Sequence, residues 1–364
     1  MGNEQSNLFN FEENIFIVKQ QDNIDKEVDA LFKYWRKVGF PNYTREDYDD
    51  KSELMKLVEF DESILLDGDN LIQSMIGCGY LWTFFPHWVD VTYSMSSKSF
   101  MDCWNDDEKL RTLIEKTYRW QQKFGRGEFT VNRLRQNAKV YCSPQTVSNF
   151  RPTVAKYIYN TYGNNGTVWD MSGGFGGRLF GFMASNCKKY IATDPCVDTI
   201  NGLIKLRDTH KNFIRNKTIE LHLCGSEMFS PDYGTVDLCF TSPPYFNTEM
   251  YSKDFGQSYK KFPTPSLWLD GFLRETIKNC HFCLKQNGIL ILNVANVKTL
   301  PTLETDTIRI ASEEGFTLVD TKYLMLSSIS GNGNKKEPIF IFTKDGHTPI
   351  IGNNSDDKLK IDLW

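Results

Sequence analysis

The chain has 364 residues with 40% hydrophobic, 24% charged and 14% aromatic content, enough to build a large core and to exclude global disorder. No run of 18 apolar residues occurs, so no transmembrane helix is expected, and the N-terminus lacks the basic and apolar regions of an export signal. The formal net charge is −4 but unevenly spread: residues 1–70 carry 17 acids against 8 bases, leaving the remainder net positive.

In chain order, Asp25–Val38 places Val28, Leu31, Phe32 and Trp35 at helical spacing and stops near Gly39 and Pro41. An aromatic run, Tyr80–Phe85, follows. Between Arg111 and Lys139 stand eight bases, Arg133 and Arg135 among them, against Glu115 and Glu128. Such a block suits phosphate contact or a solvated helix face, and charge alone favours the second. The texture changes near residue 145, which sets the expected division into 1–144, a mainly helical region, and 145–364, a domain of alternating strands and helices. Phe150–Tyr162 reads as a helix. Strands are expected at Thr167–Asp170, Tyr190–Thr193, Ile219–Leu223, Val236–Thr241, Gly288–Val294, Thr317–Met325 and Pro338–Thr343, the last two as a hairpin around Ser327–Lys336. Alternating strands and helices indicate a doubly wound, mostly parallel α/β sheet of seven strands, a Rossmann-like fold.

Nine cysteines without an export signal argue for reduced thiols in a cytoplasm. Cys280 and Cys283 form a lone C-x-x-C with no matching second pair, so two thiols on an amphipathic helix are expected and no metal site. Cys196 reads as structural.

Two stretches carry chemistry. In Val168-Trp169-Asp170-Met171-Ser172-Gly173-Gly174-Phe175-Gly176-Gly177-Arg178 a strand ends and a glycine-rich turn feeds a helix, so backbone can approach a ligand closely. Asp194 follows Gly174 by 20 residues at the end of the next strand, where an acid suits a ribose with free hydroxyls. In Val236–Tyr245 an apolar strand runs into Ser242-Pro243-Pro244-Tyr245. Two prolines place this at a strand end and leave rigid carbonyls. A ring bearing an exocyclic amine would stack on Tyr245 and donate to the Pro243 carbonyl and the Ser242 oxygen, which frees the amine lone pair.

Together these residues resemble the S-adenosylmethionine-dependent DNA amino-methyltransferases that make N4-methylcytosine or N6-methyladenine. Asp-x-x-x-Gly-x-Gly resembles their cofactor motif and Thr-Ser-Pro-Pro-Tyr their catalytic motif. Phe150-Arg151-Pro152 resembles the segment that closes over the methionine end of the cofactor, and Glu337-Pro338 a strand near the end of many members. The similarity spans about residues 145–345. It implies catalytic Ser242, Pro243, Pro244 and Tyr245. It implies cofactor contacts from Phe150, Arg151, Pro152, Asp170, Ser172, Gly174, Gly176, Asp194, Ser226 and Thr241, with no metal. Ser172 stands where the family often has Phe, and Gly225-Ser226-Glu227 where Gly-Asp is common, so Ser226 or Glu227 is expected at the adenine amine. The resemblance further implies residues 1–144 as a candidate DNA-recognition element and 145–364 as the S-adenosylmethionine-dependent methyltransferase domain, with double-stranded DNA as partner, a flipped target base, a bacterial or phage-encoded protein, and use in DNA methylation and restriction–modification. Ser-Pro-Pro-Tyr is the usual form in cytosine-N4 enzymes. Adenine N6, an RNA or small-molecule substrate, another adenosine-cofactor enzyme, and a non-catalytic DNA-binding protein stay open. Phe246–Pro265, with Tyr251, Lys253, Lys260 and Lys261, is expected as a loop over the target.

Overall fold

The computed structural model describes residues 9–10, 15–17, 24–92, 97–124, 128–141, 148–248, 250–251, 255–326 and 335–344. The chain divides into two compact units, 1–42 with 87–147 and 43–86 with 148–364. Residues 43–86, expected with the N-terminal region, therefore fold with the second unit.

In the first unit, helices Ile24–Val38 and Asp107–Phe124 present apolar faces at helical spacing. Val28, Leu31 and Trp35 are buried on one, Leu110, Leu113, Ile114 and Tyr118 on the other. Helix Val131–Tyr141 follows strand Glu128–Thr130, which pairs antiparallel with Ile15–Ile17. Most described bases of the basic block have intramolecular partners. Arg111 pairs with Asp29 and lies 4.0 Å over the Phe32 ring, and Arg119 pairs with Glu115 at 2.8 Å. Arg133 covers Trp120 at 3.7 Å. Arg135 is 8% exposed and donates to the Asn42 carbonyl at 3.0 Å, so it is a structural residue and not the phosphate contact that its charge suggested. Arg126 and the side chain of Lys139 lie outside the described residues.

In the second unit the expected strands form as β1 (Thr167–Asp170), β2 (Lys189–Asp194), β3 (Thr218–Leu223), β4 (Val236–Thr241), β5 (Leu284–Asn293), β6 (Phe316–Leu326) and β7 (Lys335–Lys344). Their order across the sheet is β3-β2-β1-β4-β5-β7-β6. The first five are mutually parallel and β7 is antiparallel to both neighbours. The sheet has nine strands where seven were expected. Leu66–Asp67 and Asn70–Leu71 extend it, Asn70 and Leu71 pairing parallel with Tyr323 and Leu324 and so covering the backbone edge of β6. All six residues of β4 are buried, as a central parallel strand requires. Alternation along it feeds two cores. Cys239 joins Trp169, Ile191, Leu290, Trp268 and Ile277, while Phe240 meets Tyr159 at 5.8 Å and Phe150 at 5.3 Å.

The helices that position the site are α1 (Pro152–Tyr162), α2 (Gly177–Met183), α3 (Val197–His210), α4 (Glu275–Cys283) and α5 (Leu303–Glu313). Cys280 and Cys283 of α4 are fully buried, with the Cys283 sulfur 3.7 Å from that of Cys239. No metal-binding cluster of His, Cys, Asp or Glu occurs among the described residues. No described helix is long and apolar enough to cross a membrane. The Tyr80–Phe85 run is buried in this unit, and Phe85 seats against Gly202 so closely that a Cβ there would lie 2.4 Å from its ring.

Candidate functional site

β1 delivers Asp170 to the carboxyl edge of the sheet, where its side chain is 1% exposed. Oδ2 accepts from Arg178 Nε at 2.8 Å and from the Tyr190 hydroxyl at 2.6 Å. Oδ1 accepts from the Thr241 hydroxyl at 3.0 Å and the Ser172 amide at 3.2 Å. Four donors thus fill the carboxylate's four lone-pair directions. Arg178, in the first turn of α2, also donates from Nη2 to the Ser172 carbonyl. Gly174 and Gly176 have φ of +56° and +76°, values that favour glycine, and Gly176 caps α2. Gly177 is forced by space, since a Cβ there would lie 1.9 Å from the Phe150 carbonyl oxygen.

That carbonyl belongs to the segment expected to close over the cofactor. Asn149, unassigned from sequence, ties the segment to the glycine turn. Its Nδ2 donates to the Phe175 carbonyl at 2.6 Å, and its Oδ1 accepts from the Gly177 amide at 3.1 Å. Arg151 turns elsewhere, to Gln73 Oε1 and the Asn149 carbonyl, both at 2.9 Å. Pro152 starts α1, where its missing N–H costs no hydrogen bond.

Asp194 ends β2 and is stitched to the same turn. It accepts from the Gly174 amide at 3.0 Å and the Cys196 amide at 2.9 Å, one bond per oxygen. Burial pushes its carboxyl up to about 6, although the two amides pull the other way. Cys196 is buried and its thiol is raised by burial, which suits the structural reading and not a nucleophile.

β4 lies beside β1, and the Thr241 bond to Asp170 joins the two strand ends. Ser242 and Tyr245 face each other with hydroxyls 3.4 Å apart, and Tyr245 donates to the Asn293 carbonyl at the end of β5 at 3.2 Å. Pro243 is buried and Pro244 half-buried. Phe246 has φ +54°, rare for a bulky side chain, and is anchored in the core 6.1 Å from Trp268. Core packing therefore holds the corner that presents Tyr245. Asn247 Oδ1 is sealed from solvent with no donor among the described residues.

The segment after the motif runs along the strand ends of β1, β2 and β3. The Tyr251 ring is 5.8 Å from Phe175 of the glycine turn, a Cβ on Gly256 would lie 3.3 Å from Pro195 Cβ, and Lys261 pairs with Glu227 beyond β3. Its described part thus flanks the glycine turn and Asp194; Lys253 lies outside the described residues. Ser226 is buried with its hydroxyl 2.8 Å from that of Thr276 on α4, and Glu227 is held by Lys261. Both side chains expected at an adenine amine are therefore engaged within the protein. Arg178 stood in the glycine motif and could have been singled out, whereas nothing local marked Tyr190 or Asn293.

Residues 236–363 match the N6/N4-methyltransferase family of DNA methylases. No curated protein matches the chain. Solved structures to which it is similar include the magnesium protoporphyrin IX methyltransferase of Synechocystis with bound S-adenosylmethionine, at 14% identity and TM-score 0.36, covering 53% of this chain and 76% of that one. An S-adenosylmethionine-dependent O-methyltransferase of Thermotoga maritima is 11% identical with TM-score 0.36, covering 57% and 70%. A 1,6-didemethyltoxoflavin-N1-methyltransferase of Burkholderia thailandensis with bound S-adenosylhomocysteine is 11% identical with TM-score 0.34, covering 49% and 70%. The matched stretch begins with the strand that ends in Ser242–Tyr245.

Proposed function

We propose that this protein transfers a methyl group from S-adenosylmethionine to the exocyclic amine of a flipped DNA base, with N4 of cytosine the favoured target. The observation that carries the reading is the Thr241–Asp170 hydrogen bond, which sets the Ser242–Tyr245 corner and the glycine turn side by side on one sheet edge. In such sheets ligands bind at the carboxyl ends of strands.

The residues fit the cofactor. Asp194 keeps one unfilled lone pair on each oxygen, matching the two hydroxyls of a ribose. A Cβ built on Gly174 meets nothing closer than 3.6 Å, so the bare turn leaves room for close approach. When bound, the cofactor supplies a sulfonium methyl that needs alignment more than activation. Ser242 and the Pro243 carbonyl accept the two amine hydrogens and turn the nitrogen lone pair outward, while Tyr245 stacks on the base. Methyl transfer would form the N–C bond at the expense of the S–C bond, and the proton that the amine must then lose would pass by way of the Ser242 oxygen or the Pro243 carbonyl to water. The unpaired Asn247 Oδ1 adds a buried acceptor beside the motif. Extrusion of the base from a duplex costs a few kcal/mol.

The test incubates the full chain with labelled S-adenosylmethionine and mixed-sequence duplex DNA and identifies the modified nucleoside by mass. N4-methylcytosine is expected. N6-methyladenine would reassign the base, and label in RNA alone would overturn DNA as substrate. Ser242→Ala and Tyr245→Ala are expected to lose at least about 100-fold in turnover while keeping cofactor affinity by calorimetry. Full activity in either variant would reject the catalytic assignment.

A further inference from the structure

Asp170 is one of the cofactor contacts that the resemblance implies, yet Arg178, Tyr190, Thr241 and the Ser172 amide already fill its lone pairs. The cationic partner is what remains incompletely used. Arg178 is 5% exposed. Its Nε is spent on Asp170 and its Nη2 on the Ser172 carbonyl, while Nη1 has no acceptor among the described residues. Nη1 is not sealed from solvent, so these unspent N–H groups under the glycine turn are open to an acceptor on a ligand. The surroundings say where that acceptor lies. Nη2 would be 3.7 Å from a Cβ on Gly174, and the guanidinium carbon is 5.7 Å from the Phe150 ring. The turn and the Phe150 segment thus enclose the guanidinium. A buried ion pair is also a poor device for stability alone, since apolar replacement of both partners is commonly neutral.

We infer that Arg178 is the receptor for the carboxylate of the cofactor's methionine moiety, with Asp170 acting as a positioning residue that holds the guanidinium fork in place. The inference rests on the S-adenosylmethionine reading of the site. A planar guanidinium can hold Asp170 along one edge and a second carboxylate on its remaining donors. Such a seat discriminates between amino-acid and amine forms of the same sulfonium.

Calorimetry with the full chain tests this, using S-adenosylmethionine, decarboxylated S-adenosylmethionine and S-adenosylhomocysteine as probes. The natural chain is expected to bind the carboxylate-bearing sulfonium about 10- to 100-fold more tightly than the decarboxylated one. Arg178→Met is expected to bring the two affinities within about twofold. Because that change leaves Asp170 buried and unpaired, Asp170→Asn/Arg178→Met is measured beside it, with thermal melts confirming that it folds. Retained discrimination in the folded double variant overturns the inference, as does a natural chain that binds both sulfonium compounds equally. Failure of the natural chain to bind any of the three probes overturns the cofactor reading itself, a distinguishable result.

Discussion

At the scale of single residues, Asp194 couples the site to pH. Its carboxyl is raised from 3.8 to about 6, with burial the leading cause. A folded-state value above the unfolded one means that the native protein holds an extra proton between pH 3.8 and about 6. The associated stability is present at the acid end of that window and is lost as pH rises through it, by on the order of 3 kcal/mol. Asp194→Asn is expected to flatten this part of the stability–pH curve in denaturant titrations. In the proposed site cofactor affinity is expected to run the opposite way, because only the ionised carboxylate accepts two ribose hydroxyls. Calorimetric affinity is expected to fall as pH drops below about 6, with the Asn variant weaker and pH-independent there; an unchanged profile in that variant would remove Asp194 from the ribose.

At the scale of elements, the basic helix Val131–Tyr141 divides its charges by burial. Arg135 spends its guanidinium on the Asn42 carbonyl inside its own unit, so Arg135→Ala is expected to lower stability by about 1–3 kcal/mol in urea titration. Arg133 is half-buried over Trp120, and its loss is expected to cost little stability. If this helix meets DNA phosphates, Arg133→Ala lowers the slope of log affinity against log salt by about 1. Equal slopes for Arg133→Ala and the natural chain would clear the helix of that role. The segment after Ser242–Tyr245 shows the same principle in the second unit. Lys261, placed by the sequence in the loop expected over the target, is paired with Glu227.

At the scale of the molecule, residues 43–86 decide what can fold alone. Asn70–Leu71 pairs with β6, and Trp82 and Phe85 pack on Phe175 at 5.2 and 5.8 Å. A fragment of residues 145–364 keeps every motif yet loses the strand and the aromatic layer behind the glycine turn. It is expected to aggregate or to melt well below the full chain, and to bind cofactor poorly, as circular dichroism and calorimetry would show. A fragment as stable as the whole would mean that 43–86 is dispensable to the second unit.

What the sequence determined by itself was local and periodic. Val236–Thr241 is apolar at four of six positions, so a buried central strand was legible, and the glycines and prolines marked both strand ends because φ and missing N–H groups are properties of single residues. What only the tertiary structure decided was the choice of partners. Whether Asp170 is free or held by Tyr190 and Thr241, whether Ser226 points to a ligand or to Thr276, and whether Arg135 meets solvent or Asn42 depend on elements brought together across 20 to 93 positions. Propensity and period act over a few residues, whereas hydrogen-bond satisfaction in a buried site is settled by whatever the fold places within about 3 Å.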